Sequence, residues 1–227
     1  MRKLTERRMA LLLKDTHVLD ESGSPLMVYR GEHGAINEKK PGFQSILGSL
    51  SFGSQNAACM YAEHPNDSRL VPESPRVYPA YLIIKKPFVT DADDPFVDFS
   101  HLEKQLGVDV AIKFFTKFAG HAENTNNWAD EINESNEFSG VGDFLRQHPE
   151  RGGELYANLW PFLDDQEFIE LLKAKGFDGA IYAGSGETML EAEYRVFDES
   201  SVIYALSREI SLDPALQRQH ESEELAA

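Results

Sequence analysis

The sequence predicts an α+β protein with strands toward both ends of the chain and helices collected in the middle. Apolar runs rich in β-branched and aromatic residues occur at 26–30, 77–86, 180–182 and 194–197, whereas residues 99–175 have helix-forming patterns separated by polar loops. Glycine-rich turns with Rossmann or phosphate-loop spacing are missing after these strands. Because strands and helices are segregated along the chain, we expect antiparallel strands and not a doubly wound sheet.

The N-terminal elements are predicted from composition and turn residues. Residues 3–13 have helix-forming composition, and the cluster 21–25 is a turn. Leu26–Arg30 then has the composition of a strand, which Gly31 is predicted to end.

Two further strands and one helix complete the predicted first half. Residues 50–52 form a short strand, and Ser54 caps the helix that follows. One face of that helix carries Ala57, Ala58, Tyr61 and Ala62. Residues 77–86 form the strongest strand of the chain, Pro87 ends it, and residues 88–91 continue in an extended conformation.

The second half is predicted to hold helices and then three strands. Gly176 ends the last helix, since glycine favours the position just after a helix. The strands 180–182 and 194–197 follow, and residues 202–206 form a final short strand. The predicted helices are Ala111–Phe115, Val141–Leu145, Leu155–Phe162 and Glu167–Lys175.

Composition restricts the class of partner. The chain carries 22 basic and 38 acidic residues, so its formal net charge is −16. Such a surface repels phosphate backbones and anionic lipid at long range, which argues against nucleic-acid-coating and membrane-surface proteins. A small anionic ligand stays compatible, because one well-placed arginine dominates locally. Cys59 is the only cysteine, so the sequence indicates neither a disulfide framework nor a thiolate zinc site.

The expected location is the cytoplasm. The apolar run Met9–Leu13 is only about five residues long and Lys14 follows it, which is short of a secretory signal core. No stretch of the sequence approaches transmembrane length. We therefore expect a soluble protein of a reducing compartment, in the cell that makes it or in a host cell after delivery.

Three separate segments carry candidate chemistry. Arg30 ends an apolar strand, where its planar fork suits a pyrophosphate, although for this residue taken alone the favoured interpretation is a strand-end arginine paired with a surface carboxylate. Ser49 and Ser51 flank one residue, so on a strand both hydroxyls point to one face. They suit a nicotinamide ribose and a nearby carboxylate, but turn or cap serines are common. Phe52 suits either stacking on nicotinamide or a core position.

Glu191 and Glu193 form the third candidate segment. On an extended chain the two carboxylates share a face, and their repulsion is costly unless a cation lies between them. That cation is an acceptor guanidinium in one interpretation. A solvated acidic loop is the other interpretation, and it is natural in so acidic a chain.

Together these segments resemble the ADP-ribosyltransferase-like domains of phage polyvalent proteins and bacterial toxins. The resemblance is carried by residues 26–31, 49–62 and 176–181, followed by 193–198. The order of arginine, serine motif and glutamate is that of the arginine–serine–glutamate class. The resemblance implies a split β-sandwich that holds NAD in the cleft between its two sheets.

The resemblance also implies domain limits. The ADP-ribosyltransferase-like domain spans residues 25–206, with a helical insertion at about 99–175. Residues 1–24 are then an N-terminal helix and turn, and residues 207–227 are a C-terminal tail.

Residue roles follow from the same resemblance. Glu193 matches the catalytic glutamate, Ser51 is its orienting partner, and Glu191 matches the glutamate associated with arginine acceptors. Arg30 matches the arginine that holds the dinucleotide, and the cofactor-binding set is Arg30, Gly31, Ser49 and Phe52.

The implied activity is NAD-dependent mono-ADP-ribosyl transfer to arginine side chains, a glycosyltransferase reaction that releases nicotinamide, as in a toxin or effector. NAD is the co-substrate, no metal is required, and the expected acceptor is a host protein; the acidic surface makes nucleic acid a less favoured acceptor. The alternatives are an NAD glycohydrolase that uses the same site and a non-catalytic binding or structural module of the same fold.

Overall fold

The computed structural model describes residues 6–33, 48–64, 74–122, 138–184 and 191–205. Within these ranges the helices are α1 (Glu6–Leu12), α2 (Gln55–Glu63), α3 (Phe99–Leu106), α4 (Val108–Lys117), α5 (Val141–Gln147), α6 (Trp160–Asp164) and α7 (Gln166–Ala174). The strands are β1 (Val28–Glu32), β2 (Leu50–Phe52), β3 (Arg76–Leu82), β4 (Pro87–Asp91), β5 (Phe96–Asp98), β6 (Tyr156–Asn158), β7 (Gly179–Ala183), β8 (Ala192–Val196) and β9 (Val202–Tyr204).

The strands form two main sheets and one short pair. One sheet has the order β1-β3-β9 and is antiparallel; the other has the order β2-β8-β7-β4. Strands β5 and β6 form a separate antiparallel pair. A bridge between Tyr29 and Gly53 joins the two main sheets where β1 passes the end of β2. The protein is therefore α+β, as the sequence predicts.

The prediction of antiparallel pairing is wrong at one edge. Strands β4 and β7 run parallel, while β7 and β8 run antiparallel. A parallel pair requires a long crossover between its strands. Residues 92–178, which include helices α3 to α7, provide that crossover.

An apolar core fills the space between the two main sheets. Val28 of β1 and Leu82 of β3 pack with Phe52, Ile181 and Val196 of the four-stranded sheet, and all five are buried. Because side chains alternate along a strand, the neighbours of these residues face away from this core.

The helices cover the opposite face of the four-stranded sheet. Ala180 and Tyr182 of β7 belong to this second core, which is rich in phenylalanine. Phe168 contacts Phe114 and Phe162 edge-on, with ring centroids 4.8 and 5.4 Å apart. Strand β7 is thus buried on both faces, and we call α3 to α7 the helical layer.

Helix α2 packs on the outer side of β1, and this contact explains Gly31. The prediction that Gly31 ends the strand is wrong, because β1 continues to Glu32. A Cβ atom on Gly31 would lie 2.0 Å from the carbonyl oxygen of Ala58, so only glycine lets α2 approach this closely. The buried face of α2 carries Ala58, Cys59 and Ala62, whereas Tyr61 is exposed.

The helix predicted at Leu155–Phe162 is wrong in its first half. Residues 156–158 pair with β5 instead, and the backbone N–H of Leu159 donates to the carbonyl of Pro95 at 2.9 Å. Pro161 then lies in the first turn of α6, where its missing N–H has no cost. Gly176 does end α7, with φ of +84°.

The segment before residue 25 packs into the same unit as the sheets. Val18 is buried in the inter-sheet core. The hydroxyl of Thr16 donates to the carbonyl of Leu82 at 2.8 Å. The predicted tail at 207–227 lies outside the described residues. Among the described residues, no helix is both long enough and apolar enough to cross a bilayer.

Candidate active site

The three predicted segments meet where the two main sheets join. The guanidinium of Arg30 donates through Nη1 to the backbone carbonyl of Ser51 at 3.2 Å. The hydroxyl of Ser51 donates to Oε1 of Glu193 at 2.7 Å. These contacts link residues from β1, β2 and β8, so the arginine, the serine and the glutamate form one constellation.

Strand register explains why the serine and the glutamate face each other. Ser51 lies opposite Arg195, and Glu193 lies opposite Tyr182. Alternation along β8 then places Glu193 and Arg195 on one face and Tyr194 on the other. The polar face of the site is therefore the face that the helical layer covers.

The two carboxylate oxygens of Glu193 have different surroundings. Oε1 accepts from Ser51 and also from Nε of Arg195 at 2.5 Å. Oε2 faces Gly184, where an added Cβ atom would lie 3.2 Å away. The side chain is 19% exposed. One oxygen is thus fixed by the protein, while the other borders a position that has no side chain.

Arg195 is a member of the site that sequence reasoning missed. It is 6% exposed, and its Nη1 donates to Oδ1 of Asp164 at 2.6 Å and to the hydroxyl of Ser49 at 3.2 Å. Burial alone would lower the pKa of Arg195, but Glu193 and Asp164 raise it above its ordinary value. This guanidinium stays charged, so Glu193 has a cationic partner within the protein itself.

One signal for Arg195 was present in the sequence. It follows Glu193 by two residues on a predicted strand, which places both on one face. Asp164 gave no comparable signal, since its contact with Arg195 joins residues 31 positions apart.

Arg30 combines both interpretations of the sequence. It reaches the serine motif, and its Nε also pairs with Oε1 of Glu32 at 3.1 Å. Both side chains are 16% exposed. A phosphate that binds Arg30 through its fork would replace the carboxylate of Glu32 at Nε.

Glu191 is held away from Glu193 by the start of α2. The hydroxyl of Ser54 donates to Oε2 of Glu191 and accepts from the N–H of Ala57 at 3.1 Å, which caps the helix. The carboxylate therefore sits at the edge of the site beside a helix N-terminus. Residues 185–190, which precede Glu191, lie outside the described residues.

Three residues of the predicted cofactor-binding set have packing or supporting contacts within the protein. Phe52 is 1% exposed and packs between the sheets, on the face opposite Ser51, so it does not reach a ligand at Glu193. Ser49 is 3% exposed, and its hydroxyl donates to the carbonyl of Leu163 at 2.7 Å and accepts from Arg195. It therefore supports Arg195 from within the protein. Gly31 serves the packing of α2.

Tyr182 lies beneath the site. Its hydroxyl is buried, and no hydrogen bond within standard geometry joins it to another described residue, although Glu193 is its cross-strand neighbour. Burial raises the pKa of this phenol, so it stays protonated at neutral pH.

Other kinds of site are not evident in the described residues. Within 6–33, 48–64, 74–122, 138–184 and 191–205, no three His, Cys, Asp or Glu side chains are placed to hold a metal ion. A surface hollow of about 360 Å³ lies between the end of α1 and the turn at Gly23, and none of its lining residues belongs to the constellation.

Comparison with protein-family models, curated proteins and solved structures finds no match to this chain.

Proposed function

We propose that this chain is an NAD-dependent mono-ADP-ribosyltransferase with a split β-sandwich, ADP-ribosyltransferase-like fold and a helical insertion. The observation that carries the proposal is the contact of Ser51 with Glu193, next to an arginine that reaches the same serine. Catalysis at a sugar carbon needs a fixed carboxylate and an anchor for phosphate, and these residues supply both.

Arg30 is the proposed anchor for the pyrophosphate of NAD. Its planar fork matches two phosphate oxygens, and charge-assisted hydrogen bonds of this kind are strong. The contact with the carbonyl of Ser51 sets the distance between this anchor and Glu193. Anchoring the pyrophosphate places the nicotinamide ribose beside the carboxylate.

Glu193 is the proposed catalytic residue. The bond between nicotinamide and C1′ of the ribose breaks, its electron pair goes to the ring nitrogen, and the sugar becomes cationic. A carboxylate that accepts a hydrogen bond from the ribose 2′-hydroxyl stabilises this charge more than it stabilises bound NAD. Oε2 is the oxygen suited to the hydroxyl, since Ser51 and Arg195 occupy Oε1.

Glu191 is the proposed general base for the acceptor arginine. A guanidinium nitrogen of the target attacks C1′, and Glu191 receives the proton that this nitrogen loses. In the described structure Glu191 is bonded to Ser54, so it must exchange that hydroxyl for the incoming guanidinium. The proposed target is an arginine of a host protein.

The hydrogen bond between Ser54 and Glu191 favours a second candidate function, that of an NAD glycohydrolase. If the Ser54 contact persists with NAD bound, water is the acceptor that needs no help from Glu191. Glu191→Gln separates the two activities, with agmatine as the arginine probe. A transferase loses agmatine modification and keeps nicotinamide release, whereas equal loss of both would contradict this division of roles.

A non-catalytic module of the same fold is the third candidate. It is favoured by the internal pairing of the site, since Arg30 contacts Glu32 and Glu193 contacts Arg195. Titration calorimetry with NAD separates it from the two enzymes. A binding module without this site gives no heat of NAD binding.

The deciding experiment compares Glu193→Gln with Glu170→Gln. The first change keeps an oxygen for Ser51 and removes the charge, so nicotinamide release from NAD should fall by a factor on the order of 1,000. Glu170 lies on the exposed side of α7, paired with Lys173 at 3.1 Å, and its variant should match the wild type. Equal turnover by both variants would refute a catalytic Glu193.

A further inference from the structure

The helical layer contacts the candidate catalytic carboxylate through a buried arginine. Asp164 ends α6, Arg195 lies between it and Glu193, and the two contacts measure 2.6 and 2.5 Å. We propose that Asp164 and Arg195 are positioning residues through which the helical layer holds Glu193 in its working orientation. This inference rests on the proposed function and gives the helical layer a role in it.

The guanidinium of Arg195 is fixed from two sides. Its Nε faces Glu193, while its Nη1 faces Asp164 and Ser49. A planar fork held in this way cannot rotate without losing a charge-assisted hydrogen bond. The carboxylate of Glu193 is therefore restrained by a rigid partner that is anchored in another layer.

Charge provides a second reason for Asp164. A lone buried arginine next to Glu193 would cancel the negative charge that the cationic sugar needs. With Asp164 present, two carboxylates share one guanidinium, and the group keeps a net negative charge. Arg195 can then orient Glu193 without neutralising the site.

The backbone around this contact is also fastened to the helical layer. The N–H of Gly48 donates to the carbonyl of Asp164 at 3.2 Å, and Ser49 donates to the carbonyl of Leu163. A Cβ atom on Gly48 would lie 2.7 Å from the side chain of Ile169, so the chain entering β2 packs directly on the helices. Ser51, two residues after Ser49, is held by the same attachment.

Positioning and binding make different kinetic predictions. Arg30 does not contact Asp164 or Arg195 in the hydrogen bonds described, so the anchor for NAD is separate from this device. Loss of Asp164 should therefore lower kcat and leave the Kd for NAD unchanged. A residue that only stabilises the fold would alter the melting temperature and leave the kcat of the folded protein intact.

The kinetic test compares Asp164→Asn with Asp165→Asn. Asp165 is the adjacent carboxylate, but it pairs with Lys117 at 2.5 Å and caps α7 through the N–H of Phe168 at 3.0 Å, a cap that asparagine preserves. We expect Asp164→Asn to reduce kcat for nicotinamide release roughly 10- to 100-fold with the Kd for NAD within about twofold, and Asp165→Asn to change neither. Equal kcat in both variants would overturn the inference.

A milder variant serves if Asp164→Asn does not fold. Ser49→Ala removes one acceptor of Arg195 and keeps both carboxylates. Its kcat should fall about threefold to tenfold at unchanged Kd, a smaller loss than for a direct contact because this bond of 3.2 Å acts on Glu193 only through Arg195. An unchanged kcat would again count against a positioning role.

A thermal double-mutant cycle tests the link without any activity. If Asp164 and Glu193 are coupled through Arg195, the melting-temperature losses of Asp164→Asn and Glu193→Gln should not add in the double variant. The pair Asp165→Asn and Glu193→Gln should be additive. Additive losses in both cycles would refute the link. A chain that shows the coupling but never turns over NAD would refute the proposed function alone.

Discussion

The two faces of the four-stranded sheet differ in what they contribute. Toward the three-stranded sheet, β2 and β8 present Phe52, Tyr194 and Val196, which pack in the inter-sheet core. Toward the helical layer, the same strands present Ser51 and Glu193. Alternation along one strand thus places residues that stabilise the fold on one face and residues of the candidate site on the other.

We expect substitutions of neighbouring residues on one strand to affect different properties, either stability or turnover. Substitutions on the inter-sheet face should lower the free energy of unfolding and leave the chemistry of the folded protein intact. Substitutions on the helical face should lower turnover with a smaller loss of stability.

Phe52→Ala should be the most damaging change to the fold. The side chain is fully enclosed between the sheets, and truncation of such a phenylalanine costs about 3–5 kcal/mol of unfolding free energy. Urea unfolding measures this loss. The NAD turnover of the molecules that remain folded should be close to that of the wild type. A loss of turnover with unchanged stability would show that Phe52 contacts the ligand after all.

Ser51→Ala should have the reverse effect. It removes the hydroxyl that donates to Oε1 of Glu193. A hydrogen bond to a charged group is worth about 1.5–3 kcal/mol, so its loss in the transition state should lower kcat roughly 10- to 100-fold. Steady-state nicotinamide release measures this change. Ser200→Ala, on the exposed turn before β9, is the control and should match the wild type. If the kcat of Ser51→Ala stayed within about twofold of the wild-type value, Ser51 would not orient Glu193 for catalysis.

Arg30→Lys should weaken NAD binding by about tenfold, because lysine keeps the charge and loses the planar fork. Titration calorimetry measures the Kd. Arg146→Lys on α5, where the guanidinium donates to the carbonyl of Gly142 in the same helix at 3.2 Å, provides the matched control. If both variants bind NAD as the wild type does, the dinucleotide does not contact Arg30.

Glu32→Gln should have the smallest effect and the opposite sign. The carboxylate of Glu32 occupies Nε of Arg30, so a phosphate must displace it. A partly exposed ion pair is worth about 0.2–1 kcal/mol, so removal of this pair should tighten NAD binding up to about fivefold. Calorimetry on the variant at low and high salt measures the gain. Weaker binding of NAD would mean that Glu32 helps to orient the arginine instead of competing for it.

Much of the site was predictable because its residues are local to strands. Leu50–Phe52 and Tyr194–Val196 have strand composition, and the family resemblance implied a partnership of Ser51 with Glu193 that the structure contains. The capping of α2 by Ser54 was predictable for the same reason, since a cap involves residues only three positions apart.

The rest depends on contacts that local patterns do not encode. Whether Phe52 faces a ligand or a core depends on which sheet lies behind it. Asp164 reaches Arg195 from the end of a helix, and β4 pairs with β7 across the whole helical layer. Leu155–Phe162 has helical composition, yet three of its residues pair with β5 because that partner strand satisfies their backbone groups.

The most direct measurement is a crystal structure of the Glu193→Gln variant grown with NAD. The proposed function predicts the pyrophosphate on the guanidinium of Arg30 and the ribose 2′-hydroxyl on the side chain of residue 193, with the nicotinamide bond intact. NAD bound at another surface, or bound with its ribose away from residue 193, would contradict it.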